Sequence, residues 1–177
     1  MNGSSPLWRA FEANEITHSG AHYLLAIAAA VKTGNAPRAA DVARTLGVSR
    51  AAASLQLRVL QEHGLVETGA SQRLQLSRAG ADLVARIASK REVVRVFLRE
   101  ILGVRDTTAD LDTCKVEHLL SEETGAALVR LIRFLRSNHP AAVACLEAFK
   151  RASAQCPNDG NCELCDEVCL LAVGHTT

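Results

Sequence analysis

At 177 residues the chain is long enough for one domain or two small ones, and 48% hydrophobic residues, mostly Ala, Leu and Val with few aromatics, describe a helix-rich protein with a real core. A formal net charge of +1 excludes a chain that grips a polyanion with its whole surface, so any nucleic-acid binding needs a local basic patch. The longest apolar run, Tyr23 to Val31, is too short to span a bilayer and follows no charged leader or cleavage site; a cytoplasmic protein is expected, with no membrane partner, where cysteines stay mostly reduced and serve more naturally as metal ligands than as disulfides.

Residues 1 to 16 open with Gly3, Ser4, Ser5 and Pro6 and then place Leu7, Trp8 and Phe11 together, a polar start with a small docking patch. From about Thr17 to Thr33, Tyr23, Leu24, Ile27 and Val31 recur at helical spacing, and Gly34 with Asn35 supplies a stop. His18 and His22 lie one turn apart on this helix; His18 reads as a plain surface histidine near the helix start.

From Arg38 to His63 the pattern is a helix-turn-helix. A short helix, roughly Arg38 to Leu46, turns Val42, Ala43 and Leu46 inward, Gly47 permits the tight turn, and Ser49 caps a second helix with Ala53, Leu57 and Leu60 on its buried face, ending at Gly64. Two short apolar runs, Leu65 to Thr68 and Arg73 to Leu76, joined by Gly69-Ala70-Ser71-Gln72, read as a two-stranded wing. Between residues 38 and 78 the cations Arg38, Arg44, Arg50, Arg58, Arg73 and Arg78 face only Asp41, Glu62 and Glu67, so the basic excess missing from the whole chain sits here. A winged helix-turn-helix lays its second helix in the major groove of duplex DNA. On that model Ser49, Arg50, Ala51, Ser54 and Leu55 approach the bases, and Arg58 and Arg73, with Arg38 on the same basic surface, approach the phosphates. The alternative is a winged helix used only to bind another protein.

Ser77 caps a long helix through Leu83, Val84, Ile87, Val94, Phe97, Leu98, Ile101 and Leu102, with a break expected near Ser89 and a stop at Gly103. A helix of about Thr108 to Leu120 follows. Ser121 begins another, striped by Leu128, Leu131, Ile132 and Leu135, and Pro140 opens a last one with Val143, Leu146 and Phe149 inward and Cys145 as a small buried hydrophobe. Such stripes can close a core within one chain or pair two chains. Pairing is preferred, because two recognition helices a DNA turn apart need a symmetric homodimer on a palindromic operator.

The helix of about Thr108 to Leu120 carries Cys114-Lys115-Val116-Glu117-His118. In a helix Cys114, Glu117 and His118 stand at i, i+3 and i+4, so a thiolate, a carboxylate and an imidazole share one face, a donor set that suits Fe, Co, Ni or Zn better than Ca or Mg. The alternative is a small buried cysteine beside a surface Glu and His. Near the end, Cys156, Cys162, Cys165 and Cys169 form a C-x5-C-x2-C-x3-C run that can ligate an iron-sulfur cluster, with a 4Fe-4S centre favoured, or enclose one zinc ion.

Several separated stretches resemble the iron-dependent repressor family, the group of the diphtheria toxin repressor and the manganese transport regulator. They are His22-Tyr23-Leu24, Asp41-Val42-Ala43-Arg44 through Gly64-Leu65-Val66, Phe97-Leu98 with Ile101-Leu102-Gly103-Val104, and Cys114 to His118 followed by Leu120-Ser121. The resemblance implies a dimer holding a divalent metal between the first helix and the dimerisation helices, with donors at His22, Cys114, Glu117 and His118. The family usually has a methionine where His22 stands, and a carboxylate of its manganese-type members falls at Leu25, so Fe2+ is favoured, with Mn2+ or Zn2+ as alternatives. The family's second metal site maps onto Arg91, Arg95 and Asp110. Two arginines cannot ligate a cation, and that site is expected to be absent.

The expected fold is mainly α: a winged helix-turn-helix DNA-binding domain over residues 1–76, an all-helical metal-binding and dimerisation domain over 77–154, and a cysteine-rich tail over 155–177. The expected function is that of a metal-dependent, iron-responsive transcriptional regulator, a repressor, with a transcription factor switched by cluster status at the tail as the alternative. An enzyme is not expected, for Cys114 has a nearby histidine but no oxyanion-stabilising loop and no phosphate-cradling glycine loop is present.

Overall fold

A computed structural model of the protein describes residues 16–152. The four-cysteine run and the docking patch of Leu7, Trp8 and Phe11 lie outside the described residues. The fold is mainly helical and divides into two compact units after Arg130.

The first unit begins with α1 (His18–Lys32), capped by Thr17, whose hydroxyl oxygen accepts the Gly20 N–H at 3.1 Å. α2 (Ala39–Leu46) follows, with the Asp41 carboxylate accepting the Arg38 N–H at 3.0 Å. Gly47 then takes φ +66°, a left-handed turn that an L side chain resists, and Ser49 caps α3 (Arg50–Glu62) by accepting the Ala52 N–H at 3.1 Å. The wing is β1 (Val66–Thr68) paired antiparallel with β2 (Leu74–Leu76), in the register Val66 to Leu76, Glu67 to Gln75 and Thr68 to Leu74. The helix-turn-helix and wing are therefore where the sequence pattern puts them.

α4 (Arg78–Val96) is riveted to the wing. The Ser77 hydroxyl donates to the Gly64 carbonyl at 2.6 Å and accepts the Gly80 N–H at 3.0 Å, while the Ser77 N–H donates to the Leu65 carbonyl at 3.1 Å. Gly80 is needed here for closeness: a Cβ on it would overlap the Leu65 carbonyl oxygen and stand 2.9 Å from its carbon. The expected break near Ser89 does not occur. The helix runs through it, because Ser89 and Arg91 are exposed residues that a helix tolerates, and the mostly buried Lys90 side chain donates to the Leu120 carbonyl at 2.8 Å. The irregularity comes later, as a π-helical turn over Phe97–Ile101 before Gly103 ends the run.

α5 (Asp106–Val116) is shorter at its end than the expected helix to Leu120. Glu117 keeps helical backbone angles, but His118 lies in the turn that follows, closed by the Leu119 N–H donating to the Val116 carbonyl at 2.9 Å. The core of this unit draws on Leu24 and Ile27 of α1, Val42 and Ala43 of α2, Ala53, Leu57 and Leu60 of α3, Leu65, Val66 and Leu74 of the wing, and Leu83 and Ile87 of α4. α1 and the first half of α4 thus belong to the body of the winged helix.

α6 (Glu122–Leu135) crosses the division, and the second unit continues with α7 (Pro140–Arg151), capped by His139, whose Nδ1 accepts the Ala141 N–H at 3.2 Å. Its buried residues include Ile132, Leu135 and Ala142. The expectation of an inward Val143 and Phe149 is corrected: they are 50% and 47% exposed, Cys145 is exposed too, and Leu131 and Phe134 join them as exposed apolar residues. The stripes are present, but within one chain the buried positions of α7 fall at the small Ala142. Among the described residues no helix is long and apolar enough to cross a membrane.

Candidate metal centre

The metal-type donors meet where α1 passes α5, both in the first unit. His18 and His22 stand one helical turn apart on α1, and their Nε2 atoms approach to 3.1 Å. The Cys114 sulfur on α5 lies 3.3 Å from His22 Nε2, and one donor atom from each of the three residues falls within 4.8 Å of the others. Donors on a tetrahedral ion with ordinary metal–nitrogen and metal–sulfur bonds are separated by roughly 3.3 to 3.8 Å; the His22–Cys114 approach lies in that range, and the trio as a whole is a possible metal site. Cys114 is a free thiol.

His22 and Cys114 are thus brought together as expected from the sequence, across 92 positions of chain. His18, read from the sequence as a plain surface histidine, is exposed but belongs to the group. The signal for it was the i, i+4 pairing with His22. Glu117 and His118 do not belong to the close trio. The His118 ring packs on His18, with centroids 4.8 Å apart, while its Nδ1 is buried with no hydrogen-bond partner among the described residues. The Glu117 carboxylate is 1% exposed, and its Oε2 is buried without a hydrogen bond among the described residues, 3.5 Å from the Arg91 Nε. Buried polar atoms left unsatisfied are costly and are commonly completed by an ion or a water.

Electrostatics agree with this reading. Burial first, and then the neighbouring His18 and Arg91, hold His22 below the usual histidine range; burial, His18 and His22 do the same to His118. Both imidazoles therefore favour the neutral, lone-pair-bearing form that a metal needs. Burial pushes the Glu117 carboxyl up, with Arg91 opposing. The residues that map onto a second metal site do other work: Arg91 faces Glu117, Arg95 is paired with Glu92 through contacts of 3.0 and 3.1 Å, and Asp110 is exposed. Leu25 packs against the core.

On the winged helix, Ser49, Arg50, Ala51, Ser54, Leu55 and Arg58 all lie on the exposed side of α3 and its cap, and Leu55 at 64% exposure is a large apolar residue with no role in the core. Arg38 is exposed at the start of α2, and Arg73 is exposed on the wing while its guanidinium donates to the Ala36 carbonyl.

A winged helix-turn-helix whose first helix also supplies donors to a sulfur- and nitrogen-lined site on a following helix defines a class: regulators whose reading head is built next to a ligand site. Comparison with known proteins gives a more particular likeness. Residues 77–142 match the model described as iron dependent repressor, metal binding and dimerisation domain. An HTH-type transcriptional regulator of Methanocaldococcus jannaschii is 29% identical over 102 residues, covering 57% of this chain and 82% of that one. The diphtheria toxin repressor of Corynebacterium diphtheriae is 25% identical over 111 residues, covering 63% of this chain and 49% of that one. The solved structure of the manganese regulator SloR superposes with a TM-score of 0.60 at 20% identity, over 67% of this chain and 55% of that one. Over residues 77–142 the chain is thus similar to the metal-binding and dimerisation domain of iron-dependent repressors, and it spans about half the length of the diphtheria toxin repressor.

Proposed function

We infer that the protein is a metal-dependent DNA-binding repressor, acting as a homodimer, in which a cation held by His18, His22 and Cys114, with Glu117 and His118 beside them, sets the DNA-competent arrangement. The single observation that carries this is the approach of His22 Nε2 to Cys114 Sγ at 3.3 Å, because it joins α1 to α5. α1 has two faces. One buries Tyr23, Leu24 and Ile27 in the core of the reading head, and the other offers His18 and His22. A bound cation supplies an electrostatic cross-link between these donors. The chain's own part is to hold neutral imidazoles and a thiol in register, so that fixing α5 against α1 also fixes it against the helix-turn-helix. Reading of DNA falls to residues 1–76 and regulation to residues 77–154; the start of the family match at residue 77 supports that division. The exposed Leu131, Phe134, Val143 and Phe149 support pairing of two copies.

Iron is the preferred metal, on a donor set of one thiolate and imidazoles with Leu25 in the core where a manganese site would want a carboxylate. A second reading, in which Cys156, Cys162, Cys165 and Cys169 bind an iron-sulfur cluster or zinc and do the sensing, is favoured by their spacing alone.

Duplex binding with Fe2+ and with chelator, measured across a salt series, tests the proposal. Metal should tighten binding. If Arg38, Arg50, Arg58 and Arg73 supply three or four phosphate contacts per protomer, the log–log salt slope should be about −5 to −7 for a dimer. Equal binding with and without metal sinks the regulator reading, and a flat salt response sinks the DNA-binding one. A chain ending at Ala154 that loses the metal response moves the sensor to the tail.

A further inference from the structure

Arg91 is the group that the ligand reading leaves over. It projects from α4 with 44% of its side chain exposed, yet its Nε lies 3.5 Å from Oε2 of Glu117, a carboxylate that is 1% exposed and, among the described residues, has no hydrogen bond through that oxygen. Glu117 is therefore held in the interior by a cation that belongs to the protein. The guanidinium charge thus stands within 3.5 Å of a carboxylate that the metal reading offers to the cation. A positive charge placed there opposes a divalent cation approaching the same carboxylate, since the interaction scales with the product of the charges.

We propose that Arg91 is a built-in competitor of the metal: it occupies the Glu117 carboxylate in the metal-free protein and weakens the cation affinity of the His18, His22 and Cys114 group. Two effects act in the same direction. The carboxylate must leave or share its guanidinium partner before it can serve a metal, and the guanidinium's charge opposes the arriving cation through space. Arg91 would thus be a positioning and affinity-setting residue, tuning the site to release its cation at the concentrations it monitors. The inference rests on the metal reading of the site.

Co2+, titrated anaerobically into the full chain against a competing chelator, gives both an affinity and a thiolate-to-cobalt absorption band that reports Cys114 directly. Arg91→Gln should tighten Co2+ binding by about tenfold or more, the scale on which residues around a ligand shell act. Arg91→Lys, which retains the charge, should stay much nearer to wild type. Arg91→Met, which keeps the aliphatic stem, should behave as the glutamine variant does and covers the case in which that one does not fold. The metal-free glutamine variant should also melt lower, because Glu117 loses its partner. Unchanged or weaker Co2+ binding in Arg91→Gln or Arg91→Met overturns the proposal while leaving the metal site in place. A wild-type cobalt spectrum that does not respond to Cys114→Ser overturns the site reading itself.

Discussion

Replacing Cys114 with serine removes the sulfur donor at almost constant volume, so it separates metal binding from folding. The side chain is half-buried, free, and 3.3 Å from His22 Nε2, a contact that a hydroxyl can retain. The metal-free variant should therefore melt within about 2 °C of wild type, as expected of a mild substitution outside the core. With metal the difference should open. A cation at 100 times its dissociation constant stabilises the folded chain by about 2.7 kcal/mol, which for a chain of this length raises Tm by roughly 5 to 11 °C. If loss of the thiolate weakens binding about 100-fold, the same metal concentration equals the new dissociation constant and stabilises by only about 0.4 kcal/mol, or roughly 1 to 2 °C. Differential scanning fluorimetry with Fe2+ or Co2+, against a chelated control, reads both numbers. A serine variant that keeps the full wild-type shift would show that the thiolate is no ligand, and the tie between α1 and α5 would lose its chemistry.

Other perturbations test the same structure from different sides. Because burial pushes the Glu117 carboxyl up despite Arg91, the folded chain holds that proton more tightly than the unfolded one, and this contribution to stability is lost as pH rises through the carboxylate range. Metal-free Glu117→Gln should therefore be the more stable protein at pH 7, and its advantage should vanish in acid; a variant that melts lower at pH 7 contradicts the account. His22 and His118 run the opposite way, since their lowered values mean that both proteins lose stability as pH falls below the ordinary histidine range. Gly80→Ala should cost about 1 to 3 kcal/mol or more, because the added carbon overlaps backbone at Leu65. Gly125→Ala, on α6 with only the Lys90 Cγ in ordinary contact at 3.8 Å, should gain up to about 1 kcal/mol. The reverse order in chemical denaturation would refute the packing described at the wing.

Local chemistry made most of the fold legible in the sequence. Thr17, Ser49 and Ser77 cap the helices they precede, Pro140 opens the last one, and Gly47 and Gly103 take the left-handed angles that their positions imply. Each of those signals acts within a few residues. The readings that needed tertiary information fared differently. Ser89 looked like a break because a polar run interrupts the apolar stripe, but nothing in its backbone chemistry stops a helix. The π-turn at Phe97–Ile101 leaves no mark in the apolar pattern. In the site, Cys114 was suggested by residue type and spacing and His22 by the family resemblance, whereas the place of His18 in the group depends on how α1 passes α5. Arg91 could be recognised only as unable to bind a cation; that it faces a buried carboxylate instead is a fact of packing between α4 and the turn after α5.

The sharing of Leu83 and Ile87 between α4 and the winged-helix core limits how this protein can be recombined. A chimera joined at the end of β2 would strip both residues from the core that they share with Leu24, Ile27 and Leu57. The workable junction falls after Ile87, roughly three helical turns into α4, so whatever effector module is grafted on must continue a helix already in progress.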